Sequence, residues 1–493
     1  MNKIARFKMI ALFMYIAIFS VFFGACGENK EKEAVGKATS QSSSSSTPIN
    51  PITYVSRDVL GNRLLQQEKL LEDDPNNKPY KVSYAQTLYA LGNFEFAEKI
   101  IEPLIKEKKP LPAVIELSAR INYVNGNYEE SEKLYKKILN NKDKELATRT
   151  KEALLNVYYQ TNQFKKAKEI EYKEDEKPAI QDLMESFGDS MPYQTNWNGN
   201  DKVTIPFVAT DPAPVIPIEV NGVKMNAVID TSADGLLLDK EKAAELEVNS
   251  VADFLGRSEG GSSGPVSYGK VNSLKMGEIE MSNIPTTISS LANAREEVFT
   301  DTPDVHAIVG TSILKQFIPT LNYKTGEITF IPRGEAGRNQ LEQMIPRDKI
   351  LDQVPFSLSG THYLHAKGSV NRNNYLNMFI NSGLVTKGGN GPILSGSLMK
   401  ILKTPIPKLG ESHLSGIDGE KFQVGSLSIS SYGVGRLLSQ SSIGQYYSGE
   451  ALENLGQANG FISDAMIGHN FLKQQNWTID FDQMSMIFSK QDD

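Results

Sequence analysis

The 493-residue sequence predicts a multidomain chain: an N-terminal all-α region of helical repeats, followed by an all-β region made of two copies of one lobe. Three observations lead to this reading. Gly92-Asn93-Phe94 and Gly126-Asn127-Tyr128 are spaced 34 residues apart. Beyond about residue 200 the pattern changes to short β-branched runs. Within that second region, three sequence blocks recur in the same order at offsets of 151, 153 and 158 residues.

At the N-terminus, Lys3, Arg6 and Lys8 precede the apolar run Met9 to Phe23, which closes with Phe23-Gly24-Ala25-Cys26. This is a signal-peptide pattern. At 15 residues the run is short of the roughly 18 to 20 that span a bilayer. It resembles a bacterial lipoprotein signal, which implies removal of residues 1–25, lipidation of Cys26, and a membrane anchor on the periplasmic or cell-surface side of the envelope. Cys26 is the sole cysteine, so the rest of the chain has no disulfide, zinc-thiolate site or cysteine nucleophile. A net charge of −7 with no Lys/Arg cluster argues against nucleic-acid binding. Residues 26–55 are Lys/Glu-rich and then Ser-rich, and are expected to form a flexible tether.

Residues 56–175 form the helical region. Small residues flank each copy of the repeat: Ala85 and Ala97, then Ala119 and Ser131, with a looser third copy at Asn162-Gln163-Phe164 and Ala167. The period and the small-residue turn resemble tetratricopeptide repeats, in which paired amphipathic helices stack; Phe94, Tyr128 and Phe164 would fill the gaps between repeats. Such a stack either offers a concave surface to a protein partner or braces the domain that follows. Residues 176–200 are polar, contain Lys177-Pro178 and Met191-Pro192, and are expected to be a linker.

The duplication divides the remainder into lobe 1 (201–335), a linker (336–349) and lobe 2 (350–493). Ile308-Val309-Gly310-Thr311-Ser312-Ile313-Leu314-Lys315-Gln316 aligns without a gap on Met466-Ile467-Gly468-His469-Asn470-Phe471-Leu472-Lys473-Gln474. At the same offset, Thr320-Leu321-Asn322-Tyr323 falls on Thr478-Ile479-Asp480-Phe481. Short helices are expected at Ser312 to Phe317 and Asn470 to Gln474, and a hairpin turn at Asn221-Gly222.

The candidate chemistry lies in the remaining block. Ala227-Val228-Ile229-Asp230-Thr231-Ser232-Ala233 places an acid at the end of an apolar strand, and Met378-Phe379-Ile380-Asn381-Ser382-Gly383 repeats the frame without the acid. Together with Ile308-Val309-Gly310 and the Gly-rich stretch Gly260 to Val271, these motifs resemble a retropepsin-type aspartic peptidase in a pepsin-like, two-lobed single chain. The resemblance implies an all-β barrel architecture. Asp230, Thr231, Ser232 and Asn381 would form the catalytic positions, and a flap carrying Gly264, Ser267 and Tyr268 would close over a peptide or protein substrate. No metal or organic cofactor is implied.

Hydrolysis in that family uses two carboxylates around one water, one ionised and one protonated. Asn381 cannot titrate, although its amide can still donate a hydrogen bond. Asp230 alone, with ordinary acidity, would be mostly ionised at neutral pH. The expectation is therefore a peptide-binding cleft with impaired catalysis. The alternative is an active endopeptidase with Asp230 as base, through tolerance of Asn381, another acid such as Asp418 or Asp464, or pairing of first lobes from two chains. Gly256-Arg257-Ser258-Glu259-Gly260 fits a nucleophile-elbow pattern but lacks the strand-turn-helix context. His362 and His365 are expected to be partly exposed strand residues.

Overall fold

The computed structural model describes residues 55–173, 176–257, 263–302, 304–386, 389–410, 413–414, 421–448 and 451–490. The signal segment, Cys26, most of the tether, Asp418 and Ser258-Glu259-Gly260 lie outside the described residues.

Six helices lead: α1 (Arg57–Asp73), α2 (Lys78–Ala90), α3 (Phe94–Ile105), α4 (Pro112–Val124), α5 (Tyr128–Ile138) and α6 (Lys144–Gln160), followed by a 3₁₀ turn at Phe164–Glu169. Asn77 and Asp143 cap α2 and α6 by accepting from first-turn amides. The three turns after α2, α4 and α6 are built alike. Gly92, Gly126 and Asn162 take positive φ (73°, 80° and 57°). The next amide in each reaches back five residues, Asn93 to Leu88, Asn127 to Asn122 and Gln163 to Tyr158, at 2.8 Å each. Asparagine tolerates the left-handed conformation, which is why the third copy holds its turn without glycine.

Each turn is bracketed by an aromatic pair five residues apart: Tyr89–Phe94, Tyr123–Tyr128 and Tyr159–Phe164, with ring centroids 5.0, 5.4 and 5.3 Å apart. Ala85, Ala97, Ala119, Ser131 and Ala167 are fully buried, so the helix pairs approach closely there.

From about residue 203 the chain is β-rich and barrel-like. In the first lobe, strands Ile279–Ser289, Leu236–Asp239, Val305–Gly310, Val223–Asp230, Val215–Val220 and Ser263–Met276 follow one another, and the last pairs back onto the first. In the second, Leu437–Tyr447, Ile393–Leu394, Ala465–Ile467, Asn373–Ile380, Tyr363–Val370 and Val424–Val434 close in the same way. Each ring thereby removes its own sheet edges. The duplication read from sequence is thus a duplication of strand order. Asn221 and Gly222, both at positive φ, turn the hairpin between Val215–Val220 and Val223–Asp230 as expected. The short helices begin a residue earlier than expected, at Thr311–Leu314 and His469–Leu472.

Two expected linkers carry structure. Residues 176–200 contain helix α7 (Ala179–Glu185) and a strand, Gln194–Asn196, paired with the first lobe. Residues 336–349 overlap the helix Glu335–Met344, whose Leu341 joins Ile318, Ile331 and Ile487 in a small core. One apolar face per helix is enough to dock each segment, and a composition-based reading dilutes that face among polar neighbours.

The helical region is docked directly on the lobes through its repeat turns. Asn377 Nδ2 donates to Leu91 O (3.1 Å), Met484 packs against Gly126, and Asn162 Nδ2 donates to Gln316 Oε1 (3.2 Å). At the start of α1, Arg57 makes a two-pronged ion pair with the buried Asp464 at 2.7 and 2.6 Å.

Candidate active site

Strand Val223–Asp230 runs parallel to Val305–Gly310, with Asp230 opposite Gly310. Gly310 must be glycine, because a Cβ there would stand 2.4 Å from Ala233 O. In the second lobe Asn373–Ile380 runs parallel to Ala465–Ile467, and the amide of Asn381 donates to Ile467 O at 2.9 Å. Both loops therefore leave their lobes at equivalent points and meet.

They meet through four reciprocal hydrogen bonds. Thr231 Oγ1 donates to Ile380 O and Ser382 Oγ donates to Ile229 O, both at 2.9 Å. The Thr231 amide donates to Ser382 Oγ and the Ser382 amide to Thr231 Oγ1, both at 3.0 Å. Each hydroxyl is at once donor and acceptor, and all the groups are buried, so the lock holds the two loops in one fixed relation.

Asp230 is fully buried beside this lock. Its Oδ1 accepts from the Ser232 amide (2.8 Å) and from Ser232 Oγ (2.6 Å). Gly383 of the other lobe closes against it: a Cβ at 383 would lie 2.3 Å from Asp230 Cγ. Burial pushes the Asp230 carboxyl up to about 6, against the opposing hydrogen bonds from Ser232 and the Gly383 backbone. This corrects the expectation of ordinary acidity. Oδ2 faces the Gly383 backbone at the junction of the loops and makes no further hydrogen bond among the described residues.

Residues 216–313 match the aspartyl protease family. The match spans the hairpin, the Asp230 loop and the Val305–Gly310 strand, and thus covers the first lobe only. A retropepsin-like aspartic protease from Rickettsia conorii is a solved-structure neighbour at 19% identity, covering 28% of this chain and 92% of that one, with a TM-score of 0.19. No curated protein matches the sequence.

Outside this aspartyl-protease-like core, Asn381 occupies the second-lobe position equivalent to Asp230. It is fully buried, with Nδ2 3.6 Å from Met466 Sδ. Asp464, considered from sequence as a substitute acid, is taken up by Arg57 and by the Asn377 amide (2.7 Å). Of the residues expected to form a flap, Gly264 is buried and Ser267 Oγ donates to Asp253 Oδ1 at 2.6 Å. Tyr268 is buried against the helical region and stacked on Phe254 at 4.5 Å.

His362 and His365 are buried, not partly exposed. The closing of the second ring and the docking of the helical region cover them together. Burial pushes each imidazole down to about 3, so both are neutral. His365 Nε2 lies 2.9 Å from Ser463 Oγ, and His362 Nδ1 2.7 Å from Thr361 Oγ1. Among the described residues no His, Cys, Asp or Glu cluster is arranged to hold a metal.

A polar junction unforeseen in the sequence adjoins the Asp230 loop. Asp234, four residues on, accepts from Ser312 Oγ, and burial pushes its carboxyl up. Buried Lys315, pushed down to about 7 by desolvation, donates to Gln160 O at 3.0 Å. Gln160 Nε2 in turn donates to Thr361 O at 2.7 Å, tying α6 to both lobes. The available signal was Lys315 itself, the one charged residue in the block Ile308 to Gln316.

Proposed function

We propose that this protein is a lipid-anchored envelope protein whose two-lobed domain binds extended peptides between its lobes, with hydrolysis impaired by Asn381. The observation that carries this reading is the reciprocal Thr231–Ser382 lock, which brings an acid and an amide to equivalent positions beneath one junction. A water there would have one titratable neighbour, so the second proton-transfer group of the two-acid mechanism is missing. Asn381 cannot supply it, because an amide neither gives up nor takes on a proton. The helical region supports this role as a tetratricopeptide-like brace that packs on the flap hairpin and the second lobe. Anchoring rests on Cys26 and the short apolar run before it; Cys26→Ser should prevent lipidation and cleavage, shifting the protein out of the membrane fraction or leaving it as the uncleaved precursor, and unchanged mass and fractionation would count against the anchor.

One observation favours a second reading, an active endopeptidase. With its carboxyl raised to about 6 by burial, Asp230 is a stronger base than an ordinary carboxylate and is still ionised near neutral pH, as a general base acting on water requires. The two readings part in one experiment, in which fluorogenic and non-cleavable extended peptides are tested from pH 3 to 8 with the natural protein and Asp230→Ala. Saturable binding without turnover supports the binding role; turnover abolished by Asp230→Ala supports the enzyme. Absence of both binding and turnover overturns the peptide assignment.

A further inference from the structure

Away from the Asp230 loops, a cavity of about 420 Å³ opens between the inner faces of α2, α4 and α6 and the second-lobe segment from Gly456 to Ile462. This volume lies within the range of small-molecule sites, roughly 300 to 1,000 Å³. Its walls are mainly apolar, with Leu60, Ala90, Leu117, Leu146, Phe461 and Ile462 contributing.

The charged groups facing it are Glu116, Arg120, Asp143 and Arg149. Arg149 grips Glu116 with two donors at 3.1 and 3.3 Å, and Asp143 accepts from the Glu145 and Leu146 amides that begin α6. Arg120 differs in its partners. Its guanidinium lies 4.6 Å over the Tyr89 ring, interacts with the Tyr89 hydroxyl and reaches Asn459 O at 3.5 Å. Glu116, the carboxylate that acts on it, is held by Arg149, so Arg120 makes no ion pair among the described residues. Guanidinium stays charged under all ordinary conditions and prefers a planar oxyanion that takes two of its donors.

We propose that this cavity binds a linear, medium-chain monocarboxylate, with its carboxylate on Arg120 and its alkyl chain along the apolar wall. A peptide is disfavoured, because α2, α4 and α6 spend their backbone donors and acceptors internally and offer no strand edge to pair with peptide amides. The site is independent of the peptide assignment to the interlobe junction.

The test is calorimetric titration of the full chain with decanoate, held below its micelle-forming concentration, against 1-decanol and decyltrimethylammonium. Decanoate should bind saturably at one site, with decanol at least tenfold weaker and the cation weaker still. Arg120→Gln should weaken decanoate at least tenfold and erase its advantage over decanol. Leu111 lies exposed on the rim, so Leu111→Trp should obstruct the mouth and abolish binding while the protein stays folded by circular dichroism. If Arg120→Gln fails to fold, the ligand-charge comparison and Leu111→Trp decide. Absence of saturable decanoate binding, equal binding of decanol, or decanoate affinity untouched by Leu111→Trp would each overturn the proposal.

Discussion

Thr320 and Thr478 stand opposite each other with their hydroxyls 2.7 Å apart, although 158 residues separate them in the chain. They are the same position in the two lobes, so the pseudo-twofold axis passes between them. Thr231 and Ser382 repeat the relation at the candidate site, again as equivalent residues bonded to each other. The axis therefore fixes both where the lobes join and where Asp230 and Asn381 are presented.

Replacing Thr231 by valine keeps the side-chain shape but removes its hydroxyl from the lock. Ile380 O loses its donor and the Ser382 amide its acceptor, both in buried surroundings. Leaving such groups unsatisfied costs about 1–3 kcal/mol each. The denaturant midpoint should fall clearly at unchanged slope, and a midpoint within error of the natural protein would contradict the lock.

Gly383→Ala should also destabilise the protein, by overpacking. The new methyl would meet Asp230 Cγ at 2.3 Å and Oδ2 at 2.4 Å, and Asp230 cannot easily withdraw because Ser232 holds it with two hydrogen bonds. Forced methyl groups in packed interiors cost about 1–3 kcal/mol. Double substitution with Asp230→Ala should recover much of the loss, and failure to recover any would place the strain elsewhere.

The turns, the 34-residue period and the lobe duplication were legible because each is a local pattern that repeats. What was not legible depends on which surfaces meet. His362 and His365 look like ordinary strand-flanking polar residues until ring closure and the docked helices bury them. Asp234, Lys315 and Gln160 come from three separate parts of the chain, and their junction exists only after all three have packed. The raised pKa of Asp230 belongs to the same class, since burial depth is not written in the motif.

Asp230→Asn should change how stability depends on pH. The folded-state value of about 6 exceeds the ordinary 3.8, so the folded protein holds this proton more tightly than the unfolded chain does. The resulting stabilisation is complete below about pH 4 and is lost as pH rises through 6. At its upper limit the shift is worth about 3 kcal/mol. The asparagine variant should thus gain on the natural protein between pH 4 and 7 in thermal melts, with the difference levelling above pH 7. A difference that does not vary with pH would show that Asp230 is not the titrating group.

Asn381→Asp puts a second acid at the position related to Asp230 by the pseudo-twofold axis. Two carboxylates in one buried site cannot both ionise cheaply, so the pair should titrate in two steps, with one apparent value raised above the roughly 6 of Asp230 alone. At pH 7.5 the variant should melt below the natural protein, and the gap should narrow towards pH 5 as the pair takes up a shared proton. Under those acidic conditions one protonated and one ionised oxygen flank the same space, as general acid and general base require. Cleavage of an unfolded protein substrate should appear or rise with an acidic optimum, and Asp230→Ala should remove it. A folded Asn381→Asp protein that shows the two-step titration but no cleavage would place the defect beyond the missing carboxylate. One that shows neither would mean that positions 230 and 381 do not share a site.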